Sequence, residues 1–195
     1  MTFIIIDVEQ GSPEWHALRK EKIGASSMPA ILSLCPWTKP KTLWSQLLGV
    51  IPQKETTPAM SRGTTLEPLA RECFNQSTGF DMKPAVVVSI EHPWMMASLD
   101  GMNLEKEILL EIKCPGVKTI NMAMEGIIPV NYQVQIQHQF AVTGFDQGYY
   151  YCFDGDQGIA ISINRDNEMI DRIINEGYRF YQSLISLEPL EEWVK

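Results

Sequence analysis

Ala97-Ser98-Leu99-Asp100-Gly101 and, after six residues, Ile108-Leu109-Leu110-Glu111-Ile112-Lys113 decide how this chain is read. Each run is short, apolar and bounded by turn formers, Asp100-Gly101 after the first and Pro115-Gly116 after the second, as neighbouring strands of a meander should be. Residues two apart on a strand share a face, so Glu111 and Lys113 point the same way. If the two strands pair as a hairpin, Asp100 reaches the same point. Two carboxylates beside an ammonium, flanked by Ile108, Leu109, Leu110 and Ile112, are costly to desolvate unless something compensates the charge. A divalent cation does so, and hard oxygen donors suit Mg²⁺, which keeps waters and shares its coordination with a phosphate. Lys113 would then orient or deprotonate the attacking water and offset charge on phosphorus. From spacing alone, a cross-strand Glu–Lys surface pair is the ordinary alternative.

Outward from this hairpin, residues 85–91, 94–99, 148–154 and 159–164 read as further strands, the last two joined by a turn through Asp154-Gly155-Asp156. Ahead of the sheet, Ser12-Pro13-Glu14 has the form of a helix start, with Trp15, Leu18 and Ile23 as its apolar stripe. Short helices follow over 27–34 and 42–48, then a loop over 50–60. A helix over 64–77 places Leu66, Leu69, Ala70, Cys73 and Phe74 inward and ends at Gly79. The stretch 166–187 forms a last amphipathic helix. Tyr132 to Phe140 alternates polar and apolar like a strand, yet Gln is a good helix former and Pro129 can open a helix. The expectation is a helix over 130–143 with Gln135 and Gln139 on one face beside the strands. Helices first, sheet in the middle and helix last make an α/β (α+β) chain of one domain over 1–195: a helical part over 12–79, a sheet core over 84–165 and the C-terminal helix.

The chain has 195 residues, 45% hydrophobic and 21% charged, enough apolar surface for a folded core and with no run long enough to span a bilayer. No basic leader precedes the first apolar stretch, so the expected compartment is the cytoplasm. Cys35, Cys73, Cys114 and Cys152 are too far apart for a metal knuckle and read as free thiols. His16 and His138 have no ligand spacing and read as structural. The net charge of −8 argues against non-specific coating of nucleic acid, but it is unevenly spread. Residues 1–66 carry seven Lys or Arg against five acids, and the rest nine against nineteen. A polyanion should approach the N-terminal third.

Six blocks occur in order: Gly11 to Arg19, Ile23-Gly24-Ala25-Ser26, Arg62 to Glu67, Ala97 to Gly101, Leu110 to Pro115, and Tyr132-Gln133-Val134-Gln135. Over roughly residues 11–155 they resemble the phage lambda exonuclease family, the YqaJ-like viral recombinases of the PD-(D/E)XK nuclease fold. That resemblance implies a restriction-endonuclease-like fold, a central mixed β-sheet flanked by helices. It also implies that Asp100, Glu111 and the Ile112 carbonyl hold Mg²⁺, for which Mn²⁺ substitutes, with Glu67 as a further acid near the metal. Lys113 is then the catalytic lysine and Gln135 the glutamine that follows the core motif. Arg19, Ser26 and Ser98 resemble a pocket for a 5′-terminal phosphate, which a guanidinium and hydroxyls suit. Leu99 stands where many nucleases of this fold have Pro, but only the carboxylate after it is chemically required.

The implied activity is Mg²⁺-dependent 5′-to-3′ degradation of one strand of duplex DNA from its ends, in phage-type recombination inside a bacterial host. The implied partners are a single-strand annealing protein and two further copies in a ring-shaped trimer. An endonuclease or nickase with the same metal site is the near alternative and would cut closed circles. A non-catalytic acidic interaction protein is the distant one, which Mg²⁺ binding discriminates. Trp15 and Trp37 suit base stacking, with a core role the simpler reading for Trp15.

Overall fold

The computed structural model describes residues 2–53 and 55–193. Seven strands form one sheet, in the order β1 (Phe3–Ile6), β3 (Lys83–Ser89), β4 (Met95–Asn103), β5 (Ile108–Lys113), β6 (Gln147–Phe153), β7 (Gly158–Asn164), with the two-residue β2 (Ile23–Gly24) beside β4. β5 and β6 run parallel, as do β2 and β4, while the remaining neighbours are antiparallel. The sheet is therefore mixed, as expected. The parallel step needs a crossover, which α5 (Val117–Met124) and α6 (Val130–Thr143) supply.

Helices cover both faces. On one, α6 packs with α2 (Met28–Ile31) and α7 (Asn167–Ser186) against Val87, Ala97, Leu99, Leu109 and Tyr150. On the other, α4 (Pro58–Thr78) sets Ala70 and Phe74 against Leu110, Ile112, Tyr151 and Phe153. On that second face Trp15 and Leu18 of α1 (Pro13–Glu21) lean on Val86, Val88 and Met96. The short α3 (Pro40–Leu47) packs on α2 and α7. Among the described residues no helix is long and apolar enough to cross a membrane.

Several boundaries differ from the sequence expectations. Phe3–Ile6, read only as an apolar run, is an edge strand. Helix α4 begins at Pro58 rather than Thr64, because Thr57 caps it, its hydroxyl accepting the Met60 amide at 3.3 Å. The prolines that suggested a loop include the N1 residue of this helix. Leu69, expected inward, is 45% exposed. Ile23 belongs to β2 rather than to the stripe of α1, which buries none of its residues fully. The helix over 130–143 is present with those bounds. Val134, Ile136, Gln137, His138, Gln139, Phe140 and Val142 are all buried, so the helix is enclosed on every side. An enclosed helix has no polar face and so no helical period to read.

Candidate active site

A defect in strand pairing builds the centre of the site. Between the pairs Ala85↔Leu99 and Lys83↔Met102, β3 offers Pro84 alone while β4 offers both Asp100 and Gly101. Two residues against one is a β-bulge, and Pro84 has no N–H to lose from the ladder. The bulge resets the alternation of β4: Leu99 and Met102, three apart, both enter the core on the α6 side. Gly101 faces the other way, where a Cβ would lie 3.0 Å from the Cβ atoms of Leu110 and Met82. Asp100 is the residue left out of step. The β4–β5 ladder ends at Gly101↔Leu110, and beyond it the Ile112 N–H donates to Asp100 Oδ2 at 2.7 Å. Because N–H and C=O of one strand residue lie toward the same edge, the Ile112 carbonyl faces the Asp100 side as well.

Glu111 and Lys113 share the α6 face of β5, as their spacing requires. The Glu111 carboxylate is 1% exposed and fully engaged. Oε1 accepts Gln135 Nε2 at 2.7 Å and the Lys113 ammonium, and Oε2 accepts Gln139 Nε2 at 2.5 Å. Lys113 Nζ also stands 5.2 Å from the centre of the Tyr132 ring, which stacks in turn on Tyr150. Burial alone would lower the lysine pKa, but the Glu111 and Asp100 charges outweigh it and hold the group as an ammonium. From the opposite face Arg71 pairs with Glu67 four residues earlier and donates to the Asp100 carbonyl, fastening α4 to the bulge. Burial pushes the Glu67 carboxyl up, and Arg71 opposes the shift.

Glu67, Asp100, Ile112, Lys113, Tyr132 and Gln135 line one wall of a cavity of about 700 Å³, with Cys35, Trp37 and Met60 among its other lining residues. Burial raises the Asp100 carboxyl well above the ordinary carboxylate range, and the charge of Glu111 raises it further. Two desolvated carboxylates that repel each other fit a cation between them. Among the described residues no three His, Cys, Asp or Glu side chains stand close enough to hold a metal alone. The donors present are hard oxygens from Asp100, Glu111 and the Ile112 carbonyl, with Glu67 nearby. They fit a divalent ion that completes its shell with water and phosphate.

The other predicted residues gather at a second point on β4. Ser98 Oγ accepts the Trp15 indole N–H at 2.8 Å, Arg19 lies 4.5 Å over the Trp15 ring, and Arg19 Nη2 is 3.4 Å from Ser26 Oγ. The guanidinium rests on Gly24, where a Cβ would sit 3.3 Å from Nη1. Trp15 is thus half-buried and polar at its edge rather than a plain core residue. Arg19, Ser26 and Ser98 lie outside the lining of the cavity, although Ser98 is only two residues from Asp100. All four cysteines are free thiols. His138 is structural as expected, buried with Nε2 on the Met96 carbonyl at 3.1 Å, while His16 is exposed.

The YqaJ-like viral recombinase domain family matches residues 14–146, about two thirds of the chain. The protein belongs to this family. Its sequence is 28% identical over 183 residues to YqaJ of Bacillus subtilis (strain 168), a match that takes in 91% of this chain but only 57% of that longer protein. The alkaline exonuclease LHK-Exo of Laribacter hongkongensis is similar in structure. In its complex with dAMP it superposes with a TM-score of 0.79 at 28% identity, over 90% of this chain and 93% of that one. A phage-related exonuclease of Haemophilus somnus 129PT shares the fold at a TM-score of 0.61 and 17% identity, over 85% and 95% of the two chains. The PD-(D/E)XK type of fold is thereby established for this YqaJ-like chain.

Three contributors to the site had no assigned role in the sequence. Arg71 was legible in principle as the i+4 partner of Glu67. Gln139 was placed on the right face, but its partner lies 28 residues away. Tyr132 carried no signal that it would cover the lysine.

Proposed function

We propose that this chain is a Mg²⁺-dependent exonuclease that degrades one strand of duplex DNA from a 5′ end and leaves a 3′ single strand. The observation that carries the reading is the convergence of Asp100, Lys113 and Gln135 on one cavity in a YqaJ-like chain, with Glu111 buried behind them and bonded to both Lys113 and Gln135. LHK-Exo, similar over nearly its whole length, is an exonuclease and has been seen with a nucleotide. Asp100, Glu111 and the Ile112 carbonyl would hold the cation, with Glu67 close by. When bound it supplies Lewis acidity toward the scissile phosphate and lowers the pKa of a coordinated water.

The protein's own groups do the rest. Gln135 and Gln139 fix both Glu111 oxygens, so the carboxylate meets its ligand without reorganising. Lys113 lies beside Glu111, where its ammonium orients the attacking water and offsets charge on the phosphorus. Arg19, Ser26 and Ser98 take the 5′-terminal phosphate, two residues along β4 from Asp100 and so roughly 7 Å away at the rise of a strand. In the same reading residues 1–195 act as one nuclease unit in the bacterial cytoplasm. Three copies ring the duplex, and an annealing protein takes the 3′ strand.

The test is digestion of end-labelled linear duplex beside a covalently closed circle, with Mg²⁺, Mn²⁺ or EDTA. Release of 5′ label from the linear duplex with either metal, and an intact circle, is the expected result. Cutting of the circle would make the protein an endonuclease or nickase. No cutting and no Mg²⁺ binding would leave an acidic interaction protein. Sedimentation of the free protein checks the trimer.

A further inference from the structure

We infer that Trp37 is a base-stacking residue that grips a nucleobase next to the scissile phosphate, an inference that rests on the nuclease reading above. Trp37 is 64% exposed, the most exposed aromatic side chain among the described residues. It belongs to none of the apolar clusters and pairs with no other aromatic ring among the described residues. Trp44 and Trp193, by contrast, contact each other, and Trp94 stacks on Tyr181. An indole left bare loses the stabilisation that burying its large apolar area would bring.

Its position gives it an occupant. Trp37 lines the same cavity as Asp100, Ile112 and Lys113, so whatever presents a phosphate to the carboxylates brings its neighbouring base into that space. Every base has a π-face, and stacking on an aromatic side chain needs no sequence. The segment carrying the indole, between α2 and α3, is rooted at Ser33, whose φ of 59° is uncommon for a residue other than glycine. That segment and the α3 helix after it are electrostatically suited to a polyanion, with Lys39 in the segment, Lys41 in the first turn of α3, where it also donates to the Trp193 carbonyl at 3.0 Å, and no acid between Ser33 and Leu48. A nucleic-acid strand therefore fits better than an apolar protein partner.

The experiment measures binding in EDTA, where cleavage is not needed. A short 5′-phosphorylated DNA strand with a 3′ fluorophore is titrated with wild type, Trp37→Ala and Trp37→Phe, and with the same strand made abasic at its first few nucleotides. Trp37→Ala should bind the intact strand about 5- to 100-fold more weakly, as stacking energies imply. Trp37→Phe should stay within about threefold of wild type, since a smaller aromatic ring still stacks. On the abasic strand the three proteins should be alike. Equal losses on both strands, or no loss on the intact one, would overturn the stacking role. A wild type that binds no strand at all would overturn it too. A wild type that binds with this pattern yet degrades no duplex would sink the exonuclease reading and leave the stacking residue standing.

Discussion

The two candidate clusters that meet β4 are built on opposite plans. Around Asp100 and Glu111 every carboxylate oxygen that is deeply buried has its donor already: the Ile112 amide, Gln135, Gln139 or Lys113. Around Arg19 the polar contacts are few, Ser26 is exposed and the Arg19 to Ser26 distance is long at 3.4 Å. The carboxylates of the first cluster are already positioned by these donors, while in the proposed reading the second keeps its donors for a phosphate. Burial explains the difference. An unpaired carboxylate in the core costs several kcal/mol, whereas a partly buried guanidinium near the surface keeps some of its water until a phosphate replaces it.

The sharpest way to break this contrast is to strip the buried cluster. Asp100→Ala and Lys113→Ala should each lower hydrolysis by about a thousandfold or more while the circular dichroism spectrum stays that of the wild type. Near wild-type turnover in Mg²⁺ from either variant would remove the assigned site. At the open cluster the loss should be smaller and selective. Arg19→Ala should slow digestion of 5′-phosphorylated duplex about 10- to 100-fold, the worth of a charge-assisted contact, and leave a 5′-hydroxyl duplex nearly untouched. Equal losses on both ends would make Arg19 a general contact.

Gln139 tests whether orientation of Glu111 matters by itself. Gln139→Leu keeps the volume, removes one donor and should lower kcat about tenfold with KM little changed, whereas Gln139→Glu should do worse by placing a second charge there. A change confined to KM would argue against the positioning role.

The smallest effect concerns the floor beneath this cluster. His138 is held neutral on the Met96 carbonyl, its pKa lowered by burial to about 4. Below its ordinary value near 6.5 the unfolded chain takes up a proton that the folded chain refuses, so stability falls as pH drops from there toward 4. The slope should be about 1.4 kcal/mol per pH unit, and about 3 kcal/mol over the window. Urea unfolding between pH 7 and pH 4.5 should show a shallower slope for His138→Gln than for wild type. Parallel slopes would mean that the imidazole is not held neutral.

What the sequence disclosed and what it hid divide along the same physical line. Asp100, Glu111 and Lys113 were legible because a turn signal and a two-residue period are local facts. The strand-like stretch over 132–140 was recovered as a helix from its residue types, against its own periodicity. Hidden were the bulge and the clamp of Arg71. Each depends on pairing with residues far along the chain, Pro84 with Asp100–Gly101 and Arg71 with the Asp100 carbonyl 29 residues on. The exposed Leu69 was misjudged because α4 covers the sheet with a narrower stripe than its apolar content suggests.

The extra residue in β4 also sets a limit on how far this protein can be stabilised. Removing Gly101 would let β3 and β4 run in step past Pro84, and regular strands are what selection for a tougher sheet favours. A chain repaired in that way would carry Asp100 into ordinary alternation, away from the Ile112 amide that now holds it. In the nuclease reading the irregularity is a fixed cost of the chemistry, and thermostable relatives are expected to gain their stability elsewhere, in loops and helix caps, while keeping one residue too many at this point.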